Sequence, residues 1–372
     1  MVNSNFIFVG CDLHEKTLVN RIAVNREASE KRTYGNTVPG RAKLIADLKQ
    51  RAAKIGGARI VLAYEASGQG FLLCDQLKAA GIECHVLAPT KIERSSKQKR
   101  NKNDDGDAER LLDIIRSHYL AGTRLPAVWV PDLQTRDDRE TLRSRQDLGE
   151  KQTGLKAQIQ TLIKRQGFGK PEGVKGNWSK SYYGWLKAMS EEKTRGEGFR
   201  TALSSLLRQL EFVVEELERL DRAIDRLCEQ PHLKPIVEEL DREQGVGQLT
   251  AAAYAVEVGD FDRFKRRQQI GAYWGITPGS NESGEVGDRK GHITRQGSPR
   301  IRRLLCQAAW SRVQHNEKER EFYQRLVKRN PKRKKIALVA AMRRLSIQLW
   351  HVGRKAQAEM KEAQKVAETS NR

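Results

Sequence analysis

Cysteine is scarce and unpatterned in this chain. Cys11, Cys74, Cys84, Cys228 and Cys306 are its five cysteines in 372 residues, odd in number and without a CxxC pair, which excludes a disulfide framework and a zinc ribbon. The seven histidines are equally scattered, so a zinc centre is not expected. No apolar run approaches a membrane span, and no signal-peptide pattern opens the chain, so a cytoplasmic protein without a membrane partner is expected. A helix-turn-helix and a zinc finger are also missing. Charge, by contrast, is abundant: 69 Lys and Arg against 47 Asp and Glu leave a formal +22. That imbalance points to a polyanionic partner, nucleic acid first.

Against this basic background, KNDDGDAERLLDII (Lys102 to Ile115) gathers acids at the mouth of a helix. Ala108, Leu111, Leu112 and Ile115 recur at helical spacing. Asp104 falls in line with that stripe and so is expected to point inward, with Asp107 one turn on. Such acids repel one another unless a cation lies between them, and a hard divalent ion is one resolution. Helix capping is the other, and by itself this segment favours it.

The first 130 residues read as α/β. Phe6 to Cys11 and Leu18 to Val24 form a hairpin that leaves Asp12 at a strand end. Arg41 to Ile55 reads as a helix. Arg59 to Tyr64 is a buried strand ending at Glu65, and a helix from Gly70 to Ala80 and a strand from Glu83 to Leu87 complete a βαβ unit. Open α/β sheets place ligands at such carboxyl ends. Two strand ends and a helix start therefore converge as in RNase H-like or RuvC-like nucleases, whose carboxylates hold divalent ions for attack on a phosphodiester.

GCDLHEKT, YEASGQGFLLCDQLKAAGIECHVLAPTKI and KNDDGDAERLL, in this order, resemble the amino-terminal half of DEDD transposases of the insertion sequence 110 family, which are bacterial. The resemblance implies metal binding by Asp12, Glu65, Asp104 and Asp107, with Mg²⁺ or Mn²⁺ as cofactor; by spacing, Asp105 is a rival third carboxylate. The basic segment from Lys91 to Lys102, with Lys97, Lys99, Arg100 and Lys102, is expected to contact phosphates.

Residues 131–232 read as helical. Leu142, Leu148, Leu155, Ile159 and Leu162 mark one long helix. Leu203, Leu206, Leu210, Val213, Leu217, Leu220, Ile224 and Leu227 mark a second, with the a/d seam of a coiled coil. An intersubunit role for that seam is preferred, in a dimer or tetramer that holds two DNA partners. Residues 167–200 carry Trp178, Tyr182, Tyr183 and Trp185 among glycines and cations, which suits base stacking and a small hydrophobic cluster about equally.

Residues 233–372 form the third region, expected to be mostly α-helical. Helices from Leu233 to Leu240 and Leu249 to Val258 flank Gly245 and Gly247, as in a helix-hairpin-helix that offers backbone N–H groups to phosphate. Residues 279–291 read as a loop. Ser298 and Pro299 start a helix whose Arg300, Arg302 and Arg303 lie off its apolar stripe, available to DNA. Arg289, Lys290 and Arg295 add charge nearby. A final helix is expected from Ile336, with a frayed end from Gln357.

Ser283, before Gly284, and the following GHITRQGSPRIRRLL match the family's carboxy-terminal segment. The resemblance implies that this serine attacks DNA and carries it covalently; by residue type alone Ser280 is an equal rival. A free hydroxyl is a poor nucleophile, so activation by the metal cluster in an assembled complex is expected. The resemblance further implies a recombinase acting on donor and target DNA at the nucleoid under guidance of a bridge RNA. A hydrolytic nuclease such as a junction resolvase, with Ser283 structural, is the alternative. A non-catalytic nucleic-acid-binding protein is the third reading.

Overall fold

A computed structural model of the chain describes residues 5–92, 104–283 and 286–370. It divides into two compact units, Met1–Pro131 and Asp132–Arg372. The first holds a five-stranded mixed sheet and the second is mostly helical.

In the first unit, β1 (Phe6–Leu13) pairs antiparallel with β2 (Thr17–Val24), and β2 antiparallel with β3 (Glu30–Gly35). On its other edge β1 runs parallel to β4 (Arg59–Glu65), which is parallel to β5 (Glu83–Leu87), giving the order β3-β2-β1-β4-β5. FIFVGC and RIVLAY are nearly continuous apolar runs because both faces of these central strands are covered. One face packs Ile7, Val9, Cys11, Leu62 and Tyr64 against α1 (Val38–Lys54) and α2 (Leu72–Ala79). The opposite face packs Phe8, Val61 and Ala63 against Leu111, Leu112 and Ile115 of α3 (Asp104–Ala121). The alternation follows from the two-residue period of a strand.

Gly10 lies on that second face, and α3 comes close enough to use its missing side chain. A Cβ there would sit 2.0 Å from the Ala108 carbonyl oxygen and 2.3 Å from the Leu112 nitrogen. The helix backbone therefore lies directly on β1, two residues before Asp12.

In the second unit, α4 (Leu133–Arg165) and α6 (Glu197–Cys228) run antiparallel. Leu142 clusters with Ile224 and Cys228, whereas Leu155, Ile159 and Leu162 cluster with Leu203, Leu210 and Val213. The apolar seam expected to meet another subunit is thus covered by α4 of the same chain. Leu207 is buried along with it, so the stripe is wider than a strict a/d seam. Within 167–200, α5 (Lys180–Glu191) joins the same cluster. Tyr182 is buried in it, Trp178, Tyr183 and Trp185 pack against it, and the Trp178 and Tyr182 rings lie 5.4 Å apart. These aromatics form the small hydrophobic cluster of one of the two readings.

The rest of this unit comprises α7 (Lys234–Asp241), α8 (Gln248–Val258), α9 (Arg267–Tyr273), a hairpin of β6 (Pro278–Ser283) and β7 (Val286–Ile293), α10 (Pro299–His315), α11 (Glu317–Arg329) and α12 (Lys334–Ser370). Two sequence expectations are corrected here. Residues 279–291, read as a loop, contribute to a two-stranded hairpin whose irregular register hides its alternation. Nor is the chain frayed from Gln357. Its amide is buried, accepts from the Phe261 N–H at 3.0 Å and donates to Asp260 at 2.8 Å, and α12 continues to Ser370.

Candidate active site

The register of β1 and β4 pairs Cys11 with Tyr64. The next residues, Asp12 and Glu65, therefore stand side by side at the carboxyl ends of neighbouring parallel strands. By alternation both belong to the face that α3 covers. Because Gly10 lets α3 lie against β1, the first turn of the helix, with Asp104, Asp105 and Asp107, starts beside these strand ends.

The three helix acids have different partners. Asp104 is more than half exposed, at 57% of its side chain, and does not point into the core as its place in the stripe suggested; its carboxylate is 3.5 Å from His14 Nε2. That same nitrogen lies 3.0 Å from Asp12 Oδ2. Asp12, His14 and Asp104 thus bring one donor atom each to within 4.8 Å of one another. Asp107 is buried and accepts from Arg110 Nη1 at 2.7 Å. Asp105 faces another way, accepting from Arg21 Nε at 2.7 Å and Nη2 at 2.5 Å, with Lys31 at 3.8 Å. Glu109 and Ser29 extend this second network.

The electrostatics tie Asp12 to the helix. Burial pushes its carboxyl above the usual range, His14 pulls it back, and the charges of Asp107 and Asp104 push it up again. A cation placed among these acids would relieve the repulsion.

Sequence reasoning missed His14, Arg21 and Arg110. His14 had a readable signal, since Asp-x-His at a strand end sets both side chains on one face. Arg21 had none, because its partner is 84 residues away.

The remaining sequence candidates lie apart from the acids in sequence. Lys97, Lys99, Arg100 and Lys102 fall outside the described residues. Ser283 ends β6 and pairs with Val286, while Ser280 pairs with Lys290 and Asn281 with Arg289; their side chains are likewise outside the described set. Gly245, at φ +82°, has room for no side chain, since a Cβ would meet the Ala308 carbonyl at 2.7 Å, whereas Gly247 caps α8 in open space. Arg300 pairs with Asp147 at 2.6 Å and Arg303 with Glu150, both on α4. Arg302 donates to the carbonyls of Trp274, Arg295 and Gly297. Arg295 is exposed.

Two family models match the chain. Residues 9–166 match a transposase model of the DEDD, IS110 type, and residues 237–324 match one described as "Transposase IS116/IS110/IS902 family". A Sinorhizobium fredii protein, y4qE, named as a transposase, is 29% identical over 82% of this chain and 71% of its own. The transposase for insertion sequence element IS1533 of Leptospira borgpetersenii is 25% identical over 82% and 84%. That for element IS1111A of Coxiella burnetii is 27% identical over 63% and 61%. No helix of the described residues is long and apolar enough to cross a membrane.

Proposed function

The chain belongs to the IS110 family of transposases and is a DNA transposase, and from that premise we propose that Asp12, Glu65, Asp104 and Asp107 are its strand-cutting site. The observation that carries the proposal is the meeting of Asp12, at the end of β1, with Asp104 and Asp107 of the first turn of α3; Glu65 is included for its place at the end of the neighbouring strand. The order β3-β2-β1-β4-β5, with its antiparallel half and parallel half, supports reading the first unit as RuvC-like.

The donor set fits a hard divalent ion: carboxylate oxygens, with the partly buried Asp12 repelled by Asp107 and Asp104. Mg²⁺ or Mn²⁺ held by these four acids would supply Lewis-acid activation of a phosphodiester. The chain's own contribution is orientation. Arg110 fixes the Asp107 carboxylate, and the Arg21 clamp on Asp105 fixes the helix turn from its other side.

Ser283 is the proposed nucleophile. Its oxygen would form the bond to phosphorus as the 3′ or 5′ oxygen of the cut strand leaves with a proton, and a DNA hydroxyl would reverse the exchange on rejoining. The match of residues 237–324 to the transposase model supports this assignment. A bridge RNA choosing donor and target by base pairing, and a dimer or tetramer holding both, complete the proposal; the +22 charge supports a nucleic-acid load of that size. The glycine turn between α7 and α8 is proposed as a phosphate contact through Gly247. The domains are proposed as 1–130, 131–232 and 233–372.

The test is to trap the reaction on end-labelled element DNA. Wild type should yield a protein-DNA adduct that Ser283→Ala abolishes, and Asp12→Asn should yield neither adduct nor cleavage while still binding DNA. Cleavage without any adduct would instead identify a hydrolytic nuclease.

A further inference from the structure

His14 stands against two of the proposed acids and is left unused by the tetrad. Its imidazole is one-third exposed, and Nε2 lies 3.0 Å from Asp12 Oδ2 and 3.5 Å from Asp104 Oδ2. Two acids from different elements thus converge on one nitrogen, and the three donor atoms lie within 4.8 Å of one another. The strand end itself holds the residue in place: the His14 N–H donates to the Thr17 carbonyl at 2.9 Å, and its own carbonyl accepts from Asn36 Nδ2 at 2.8 Å. A backbone pinned at both groups presents the ring on the face that Asp12 occupies.

We infer that His14 is a nitrogen ligand of the cation site, sharing the ion with Asp12 and Asp104, and that it makes the site prefer Mn²⁺ or a later transition ion to Mg²⁺. The inference rests on the proposed cation site and deepens it. An all-oxygen site suits Mg²⁺, whereas an imidazole nitrogen favours ions further along the first transition row. It is Nε2, the nitrogen an imidazole would use as a ligand, that faces both acids. Among the described residues, no other histidine belongs to such a cluster.

The test uses the full chain and Mn²⁺ as probe, with pulsed paramagnetic resonance to detect nitrogen bound directly to the ion and Mg²⁺ competition to measure selectivity. Wild type should show imidazole-nitrogen coupling and resist Mg²⁺ displacement. His14→Ala should lose the coupling and bind Mn²⁺ roughly ten- to a hundred-fold more weakly, with Mg²⁺ affinity much less affected. His14→Gln keeps a donor for Asp12 but no imidazole, so it should behave as the alanine variant does; a glutamine variant with wild-type Mn²⁺ affinity would reduce His14 to an orienting hydrogen bond and overturn the inference. Bound Mn²⁺ without nitrogen coupling, or coupling that survives in His14→Ala, would overturn it as well. Those results leave the acid site standing if Asp12→Asn abolishes Mn²⁺ binding. Binding unchanged in Asp12→Asn would bring down both.

Discussion

Replacing Gly10 by alanine adds one methyl group at the point where α3 rests on β1, and the expected consequence reaches the acids. The new Cβ would stand 2.0 Å from the Ala108 oxygen and 2.3 Å from the Leu112 nitrogen. Both are backbone atoms in the middle of a helix, so no side chain can rotate away. Strand and helix must part by about 1 Å before the contact reaches the 3.0 Å floor of real structures. Overpacking of this kind costs about 1–3 kcal/mol, which for a unit of this size lowers the melting temperature by roughly 5 °C or more. The larger effect is on geometry. Asp104 and Asp107 ride on the displaced helix while Asp12 and Glu65 stay on the sheet, and a misplacement of about 1 Å costs on the order of 100-fold in rate. That corresponds to about 2.7 kcal/mol in the barrier. Cleavage of element DNA, measured at a temperature where the variant is folded, should therefore fall by about that factor. Gly154→Ala is the control: it lies within α4 with nothing within 4 Å of an added Cβ, so it should be neutral or stabilise by up to about 1 kcal/mol. A Gly10→Ala protein with wild-type melting and cleavage within twofold of wild type would refute the close packing and the dependence of the site upon it.

Arg21→Ala should cost about 1–2 kcal/mol in urea unfolding, because it strands the partly buried Asp105 carboxylate; Arg21→Lys should recover only part of this, since an ammonium cannot make the two-pronged contact, and full recovery would contradict a bidentate clamp. Lys361, and then Arg354, hold the Asp262 carboxyl below the usual range despite some desolvation. Its contribution is therefore present at neutral pH and lost as pH falls through its lowered pKa, so Asp262→Asn should be less stable than wild type at pH 7 by no more than about 1 kcal/mol, converging with it in acid; a gap that widens in acid would reverse the sign. Gln357→Ala should lower stability by about 1–3 kcal/mol through the orphaned Phe261 N–H, and an unchanged melt would mean that this end of α12 is undocked. DNA binding should weaken by on the order of 10³-fold between 50 and 200 mM salt if six or more phosphates are neutralised, and a flat profile would exclude phosphate tracking.

Much of the fold was legible because its elements are set by local pattern. The runs FIFVGC, LVNRIAV and RIVLAYE are the strands β1, β2 and β4, and the leucine spacing of 203–227 is the helix α6. What escaped was what depends on a neighbour. β3, EKRTYG, carries charges suited to a sheet edge, and only pairing with β2 makes it a strand. The β6–β7 hairpin breaks its alternation with glycines and register shifts. Arg300 and Arg303 lie off the apolar stripe as expected, yet they meet carboxylates of α4, a contact that depends on which helix lies alongside. At the site the acids were legible as types and positions. The partners of those acids were not, because Gly10, His14 and Arg21 act through the register of β1 and the seating of α3.

The first turn of α3 shows why composition alone could not assign its acids. All three aspartates favour the helix dipole equally, so capping gives no ground for telling them apart. Helical geometry does. At 3.6 residues per turn, Asp104 and Asp107 lie within about 60° of each other, whereas Asp105 points about 100° away from the first and roughly opposite the second. Once the helix is laid over Gly10, its orientation is fixed, and the two sides acquire different neighbours. Asp104 and Asp107 meet the β1 strand end, where each raises the proton affinity of Asp12. Asp105 meets Arg21 and Lys31 on β2 and β3, where its charge is neutralised by the sheet itself. Asp105 is held by two cations, Arg21 and Lys31, and gains little from a metal; Asp107 has one, Arg110, and with Asp104 it crowds the partly buried Asp12 carboxylate, where a cation would relieve the repulsion. On the proposed site the pair at 104 and 107, and not their neighbour at 105, would therefore join Asp12 and Glu65, and Asp105, held by Arg21, would anchor the turn that carries them.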